Sequence, residues 1–87
     1  MPNAETFETT DMGLVAFLRC KGFELLNLKQ RGDKTAFVLN EQSDRRKLVM
    51  DYFNGAEVSC RDFLNRLQEA KTLIHQVGYR KIERNTN

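Results

Sequence analysis

The amino-acid sequence predicts a mixed α+β fold in which a two-stranded antiparallel hairpin packs against three helices, in the order α-β-β-α-α. Three observations lead to this fold class. Apolar residues recur at helical spacing in three segments, two short runs after the first of them alternate with a period of two, and glycines stand at the expected ends of these segments. With 87 residues, the chain has room for one small domain with a single core.

The first helix is predicted from about residue 11 to residue 21. Thr9 or Thr10 can cap its N-terminus, and Asp11 lies where the helix dipole favours a negative charge. Gly22 can adopt the left-handed conformation that ends many helices. Because apolar residues extend beyond a single stripe, we expect most of this helix to be buried.

The hairpin is predicted by the segment LLNLKQRGDKTAFVLNE, residues 25–41. Gly32 and Asp33 suit a two-residue type II′ turn, which places Arg31 opposite Lys34. The resulting register gives one apolar face, with Leu28 opposite Phe37 and Leu26 opposite Leu39. The other face is mixed near the base of the hairpin and basic toward its turn. The apolar face needs helices to cover it, since a two-stranded hairpin alone is marginally stable.

Two further helices supply that cover. The second helix is predicted from about Asp44 to Asn54, with Ser43 as its cap. The third is predicted from about Cys60 to Gln76, with Ser59 as its cap and Gly78 as its end. Both carry an apolar stripe at helical spacing, so each is expected to bury one face.

The chain is expected to form one unit with two short ends. Residues 1–8 are predicted to be a flexible N-terminus, residues 9–78 a single compact α+β domain, and residues 79–87 a flexible basic C-terminal tail. The longest apolar stretch, residues 14–18, is far shorter than the roughly 20 residues that cross a bilayer. The first ten residues lack the pattern of a secretory signal. We therefore expect a cytoplasmic protein without a membrane partner.

Catalytic and metal-binding patterns are weak in this sequence. His75 is the only histidine, and Cys20 and Cys60 lie outside any CxxC pattern. These three residues could act in nucleophilic catalysis or join a carboxylate in a zinc site, but the spacings favour buried thiols and a histidine near a helix end. We therefore expect a non-enzymatic protein with no catalytic residue, metal, cofactor or small-molecule substrate.

The basic residues are more informative, although the net charge is only +2. Arg31 faces Lys34 at the hairpin turn, and three cations begin the second helix, where the dipole disfavours positive charge. Such positions favour an anionic partner, but a solvated face explains them as well. The candidate residues for binding nucleic acid or another partner are Lys29, Arg31, Lys34, Arg45, Arg46, Lys47, Arg80 and Lys81.

Four segments carry a resemblance to a known family: TTDMGLVAFLRCKGFELL, TAFVLNE, LVMDYFNGAEV and DFLNRLQEAKTLIH. Over about residues 9–76, the chain resembles a family of small bacterial and phage domains of unknown function. The resemblance implies no catalytic residues. It implies a context in phages and mobile elements, where many short proteins act by binding, and often inhibiting, host machinery.

Two functions remain open at this stage. The first is a phage or mobile-element accessory factor whose basic surface engages nucleic acid or a nucleoprotein, such as a host defence complex. The alternative is a protein-protein interaction or homodimerisation module that pairs through the free edge of the hairpin.

Overall fold

The computed structural model describes the backbone of residues 5–85 and the side chains of residues 5–76. In this part of the chain, three strands and three helices follow in the order β-α-β-β-α-α. They are β1 (Thr6–Thr9), α1 (Met12–Cys20), β2 (Leu25–Arg31), β3 (Lys34–Asn40), α2 (Arg45–Phe53) and α3 (Cys60–Asn85). The mixed α+β class is confirmed, but the prediction of a sheet with only the two hairpin strands is wrong, because the sheet has a third strand.

The third strand is β1, which makes the sheet order β1-β3-β2. It runs antiparallel to β3, with Thr6 opposite Asn40 and Thr9 opposite Phe37. Residues 6–8, expected to belong to the flexible N-terminus, are therefore part of the sheet. Four residues are too few to show a clear alternation, and the partner strand lies far along the chain, so local sequence carried little sign of this pairing.

The hairpin turn agrees with its prediction. Arg31 is opposite Lys34, and Gly32 has a φ of +65° whereas Asp33 does not have a positive φ. A positive φ at the first central position alone is what a type II′ turn requires. Leu28 is also opposite Phe37, as the register predicted.

The base of the hairpin differs from its prediction because of a β-bulge. The register shifts between Leu25 and Asn27, so Leu25 rather than Leu26 is opposite Leu39. Leu26 is the extra residue of the bulged strand, and it is 48% exposed instead of lying in the core. The backbone N–H of Leu28 donates to the side-chain oxygen of Asn27 at 2.8 Å, which satisfies a group at this irregular position.

The middle of helix α1 is enclosed on all sides. Five consecutive residues, from Leu14 to Leu18, are buried, and five residues cover more than one full helical turn. Its cap is Asp11, whose side chain accepts from the Leu14 N–H at 3.1 Å, and neither Thr9 nor Thr10 takes this place. Gly22 follows the helix with a φ of +97°, the left-handed conformation predicted for it.

Helices α2 and α3 begin close to their predicted starts. Asp44, rather than Ser43, is the N-cap residue of α2. The Ser59 side chain accepts from the Asp62 N–H at 3.4 Å at the start of α3. The prediction that Gly78 ends α3 is wrong, because the helix continues to Asn85. In the interior of a helix, glycine is less stable than alanine by only about 1 kcal/mol, so a glycine does not by itself end a helix.

The core lies between one face of the sheet, here called the inner face, and the helices. Phe37 and Leu39 of β3 pack there with α1, and Ala70 of α3 completes the cluster. Along the described residues, no helix is both long enough and apolar enough to cross a membrane.

Candidate binding surface

The opposite face of the sheet, here called the outer face, carries the predicted hairpin cations. Cross-strand partners share a face of a sheet, as do alternate residues of one strand. Arg31 is opposite Lys34, Lys29 is opposite Ala36, and Glu8 is opposite Val38. The outer face therefore brings Lys29, Arg31 and Lys34 together with Glu8.

Glu8 links the two edges of the sheet across this face. The Arg31 Nε and Nη2 groups donate to the two carboxylate oxygens of Glu8 at 2.5 and 2.9 Å. The Lys29 Nζ atom lies 4.0 Å from Glu8 Oε1. The hydrogen bond from Arg31 lowers the pKa of Glu8 below its ordinary value.

The centre of the outer face is small and apolar. Ala36 is 1% exposed and Val38 is 5% exposed, although neither belongs to the cluster beneath the helices. Their cross-strand neighbours Lys29 and Glu8, together with Arg31, have long stems that can lie over them. The outer face thus has a narrow apolar strip on β3 with charged residues on the strands at both sides of it.

The second basic cluster, at the start of α2, is tied to its own neighbours. Arg45 donates from Nε and Nη2 to the Glu41 carboxylate, both at 2.9 Å, and its guanidinium lies 4.3 Å from the centre of the Phe7 ring. Lys47 Nζ lies 3.0 Å from Asp51 Oδ2, and Arg46 is exposed. Arg45 is therefore a structural residue at the end of the sheet.

The two predicted basic clusters do not converge. Lys34 begins β3 and Asn40 ends it, and the loop to α2 follows directly. Seven strand residues span about 20 Å, so the hairpin turn and the start of α2 lie at opposite ends of the sheet. Arg80 and Lys81 are in the helical backbone of α3, but their side chains lie outside the described residues.

The thiols of Cys20 and Cys60 have different surroundings. Cys20 lines a polar cleft of about 340 Å³ with Asp62 and Glu69. Burial raises the pKa of the Cys20 thiol, and the nearby Asp62 carboxylate raises it further. Cys60 is exposed, and both cysteines are free. Among the side chains that the structure describes, no three His, Cys, Asp or Glu groups come close enough to hold a metal ion.

An aromatic groove was not predicted from the sequence. It has a volume of about 440 Å³ and lies where α1, the end of α2 and the start of α3 meet; its lining includes Phe17, Tyr52, Val58, Cys60 and Phe63. Beside it, Phe53 is 65% exposed, with its ring centre 5.1 Å from that of Tyr52. The adjacent aromatic pair at the end of a helix is the signal that could have indicated this groove.

Glu8 is the other residue that the sequence prediction missed. The only local sign of a strand at Glu8 is its position between Phe7 and Thr9, which fits a period of two. A pattern over two or three positions is common by chance. The significance of Glu8 comes from its pairing across β3, which a single sequence does not reveal.

A comparison with protein families finds a match over residues 4–76. The chain belongs to the DUF5659 family, a domain of unknown function. The DUF5659 match includes all of β1, and it ends before Arg80 and Lys81. Neither a search of curated proteins nor a search of solved structures finds a match.

Proposed function

We propose that this DUF5659 domain is a non-enzymatic binding protein that engages nucleic acid, free or within a nucleoprotein, through the outer face of its sheet. The single observation that carries this proposal is the charge of that face. Lys29, Arg31 and Lys34 lie there with one carboxylate, that of Glu8, among the described residues of the face. A row of cations on one surface suits the regular spacing of backbone phosphates.

The proposal also covers the biological context of the protein. A phage or mobile-element origin, with binding to a host defence complex or another host nucleoprotein, fits the family resemblance. Inhibition of that machinery would then follow from occupying its nucleic-acid component. The cations at the start of α2 are not part of this surface, since α2 follows the end of β3 that is opposite to the hairpin turn.

The test is salt-dependent binding of a fluorescein-labelled oligonucleotide, single-stranded and duplex, followed by anisotropy. The double variant Lys29→Gln with Lys34→Gln should reduce the slope of log affinity against log salt by about 0.7 to 0.9 for each lost contact. The matched control is Arg46→Gln with Lys47→Gln, which removes the same charge from the start of α2. We expect the control to change the slope little.

Two results would contradict nucleic-acid binding itself. One is the absence of binding to either oligonucleotide at low salt. The other is binding that does not depend on salt. An equal loss in both double variants would mean that total charge, rather than the outer face, determines binding.

A second candidate function is self-association through β2. This strand lies at the edge of the sheet, and the exposed Leu26 stands on it. Sedimentation velocity over a range of concentrations tests the idea, with Leu26→Ser as the variant expected to weaken association. A monomer at all concentrations rules out a homodimer.

A further inference from the structure

The Glu8 carboxylate occupies the donors that a phosphate would need. Arg31 offers two parallel N–H groups, and both already donate to Glu8. Arginine binds carboxylates and phosphates with the same forked geometry. A phosphate group can therefore bind Arg31 in this way only if the Glu8 carboxylate leaves.

The pair is accessible enough for such an exchange. The Arg31 side chain is 54% exposed and that of Glu8 is 31% exposed. Exposed ion pairs are weak because water screens them, so a ligand can displace one without unfolding the sheet. Lys29, which also faces Glu8 Oε1, would be released at the same time.

We propose that Glu8 is a built-in competitor that holds Arg31 and Lys29 until a phosphodiester group of a nucleic acid takes its place. This inference rests on the proposed function, and it assigns Arg31 as the residue at which ligand phosphate is exchanged for carboxylate. Lys34, at the turn, makes the first contact in this arrangement because Glu8 does not pair with it.

The experiment compares Glu8→Gln with Glu57→Gln in oligonucleotide binding. Both variants raise the net charge by one, but Glu57 lines the aromatic groove and does not contact Arg31. Because an exposed ion pair is weak, its removal should tighten binding only modestly, by about five-fold beyond the control. The salt slope should also become steeper by about 0.7 to 0.9 as Arg31 gains a phosphate.

Two further variants test whether the gain in affinity comes from opening the Glu8–Arg31 pair. Adding Arg31→Gln to Glu8→Gln should remove the whole gain. Glu8→Asp leaves the net charge unchanged and shortens the side chain, so it should also tighten binding; this variant serves if Glu8→Gln fails to fold. A shift of the Arg31 Nε–H resonance in either Glu8 variant would report directly that the pair has opened.

The outcomes separate the two proposals. If the wild-type protein binds through Lys29 and Lys34 but Glu8→Gln is no tighter than Glu57→Gln, this inference is overturned and the proposed function stands. If neither the wild type nor Glu8→Gln binds an oligonucleotide, both are overturned. Tighter binding by Glu8→Gln that is lost with Arg31→Gln supports both.

Discussion

The two faces of β3 are buried to a similar extent by different means. On the inner face, Phe37 and Leu39 are 0% exposed and pack against the helices. On the outer face, Ala36 and Val38 are almost as well buried, and their cross-strand neighbours Lys29 and Glu8 have long stems that can lie over them. Burial therefore does not distinguish a permanent core from a surface that a few exposed side chains can uncover.

The largest expected contrast between the faces comes from truncating one residue on each. Phe37→Ala should lower the free energy of unfolding by about 3 to 5 kcal/mol, because it leaves a cavity among close-packed groups. Val38→Ala should cost about 1 to 2 kcal/mol, since exposed stems can settle over the smaller residue. Urea unfolding at neutral pH measures both values. Equal losses would mean that the outer face is as rigidly packed as the inner one.

A second prediction tests how tightly the helical side is packed. A Cβ atom on Gly13 would overlap the Tyr52 hydroxyl, and the Tyr52 ring is held 5.4 Å from that of Phe17. Gly13→Ala should therefore destabilise the protein by about 1 to 2 kcal/mol. Tyr52→Phe removes the overlapping oxygen, so the same substitution in that background should be close to neutral. If a double-mutant cycle shows no coupling energy between the two substitutions, the close approach of Gly13 to the Tyr52 hydroxyl is contradicted.

A third prediction concerns the ion pair at the α2 end of β3. The hydrogen bond from Arg45 lowers the pKa of Glu41, so the pair stabilises the protein above the ordinary pKa of the carboxyl and loses this effect as the pH falls through the folded-state pKa. Glu41→Gln should cost up to about 1 kcal/mol at pH 7. It should also weaken the acid dependence of stability at pH values below the ordinary pKa of a glutamate carboxyl. An unchanged acid dependence relative to Glu57→Gln would contradict this role.

The smallest effect on stability is expected for substitutions of Arg31. Comparing two of them separates the contribution of its aliphatic stem from that of its charge. Arg31→Ala removes both the ion pair and the stem, whereas Arg31→Met keeps most of the stem. We expect a slight decrease in Tm for Arg31→Ala and a smaller one for Arg31→Met, with faster amide exchange at Val38 only in the first. Equal decreases would indicate that the ion pair, rather than the stem, protects the outer face.

Local sequence signals predicted the helices and the hairpin turn because their causes are local. A glycine with a positive φ ends α1, and Gly32 with Asp33 sets the turn. The bulge at Leu26 could not be predicted, because LLNL offers two adjacent leucines and only the sheet determines which one points inward. Strand β1 was missed because its pairing with β3 is long-range.

The candidate surface was predicted only in part, for the same reason. Lys29, Arg31 and Lys34 share a face through the local geometry of the hairpin, which a period of two reveals. The pairing of Arg31 with Glu8 depends on β1, and the distance between the turn and Arg45 depends on the direction of β3. Both are properties of the tertiary structure.

Strand β1 also bears on how the protein can be handled. Its four residues cover one edge of β3, the strand in which Ala36 to Leu39 are all buried. Removal of the chain up to and including Thr9, by a protease or by cloning, would leave that edge of β3 unpaired. Unpaired apolar strand edges recruit strands from other molecules. Strand β1 thus protects the sheet against aggregation, and an affinity tag is better attached upstream of it than in its place.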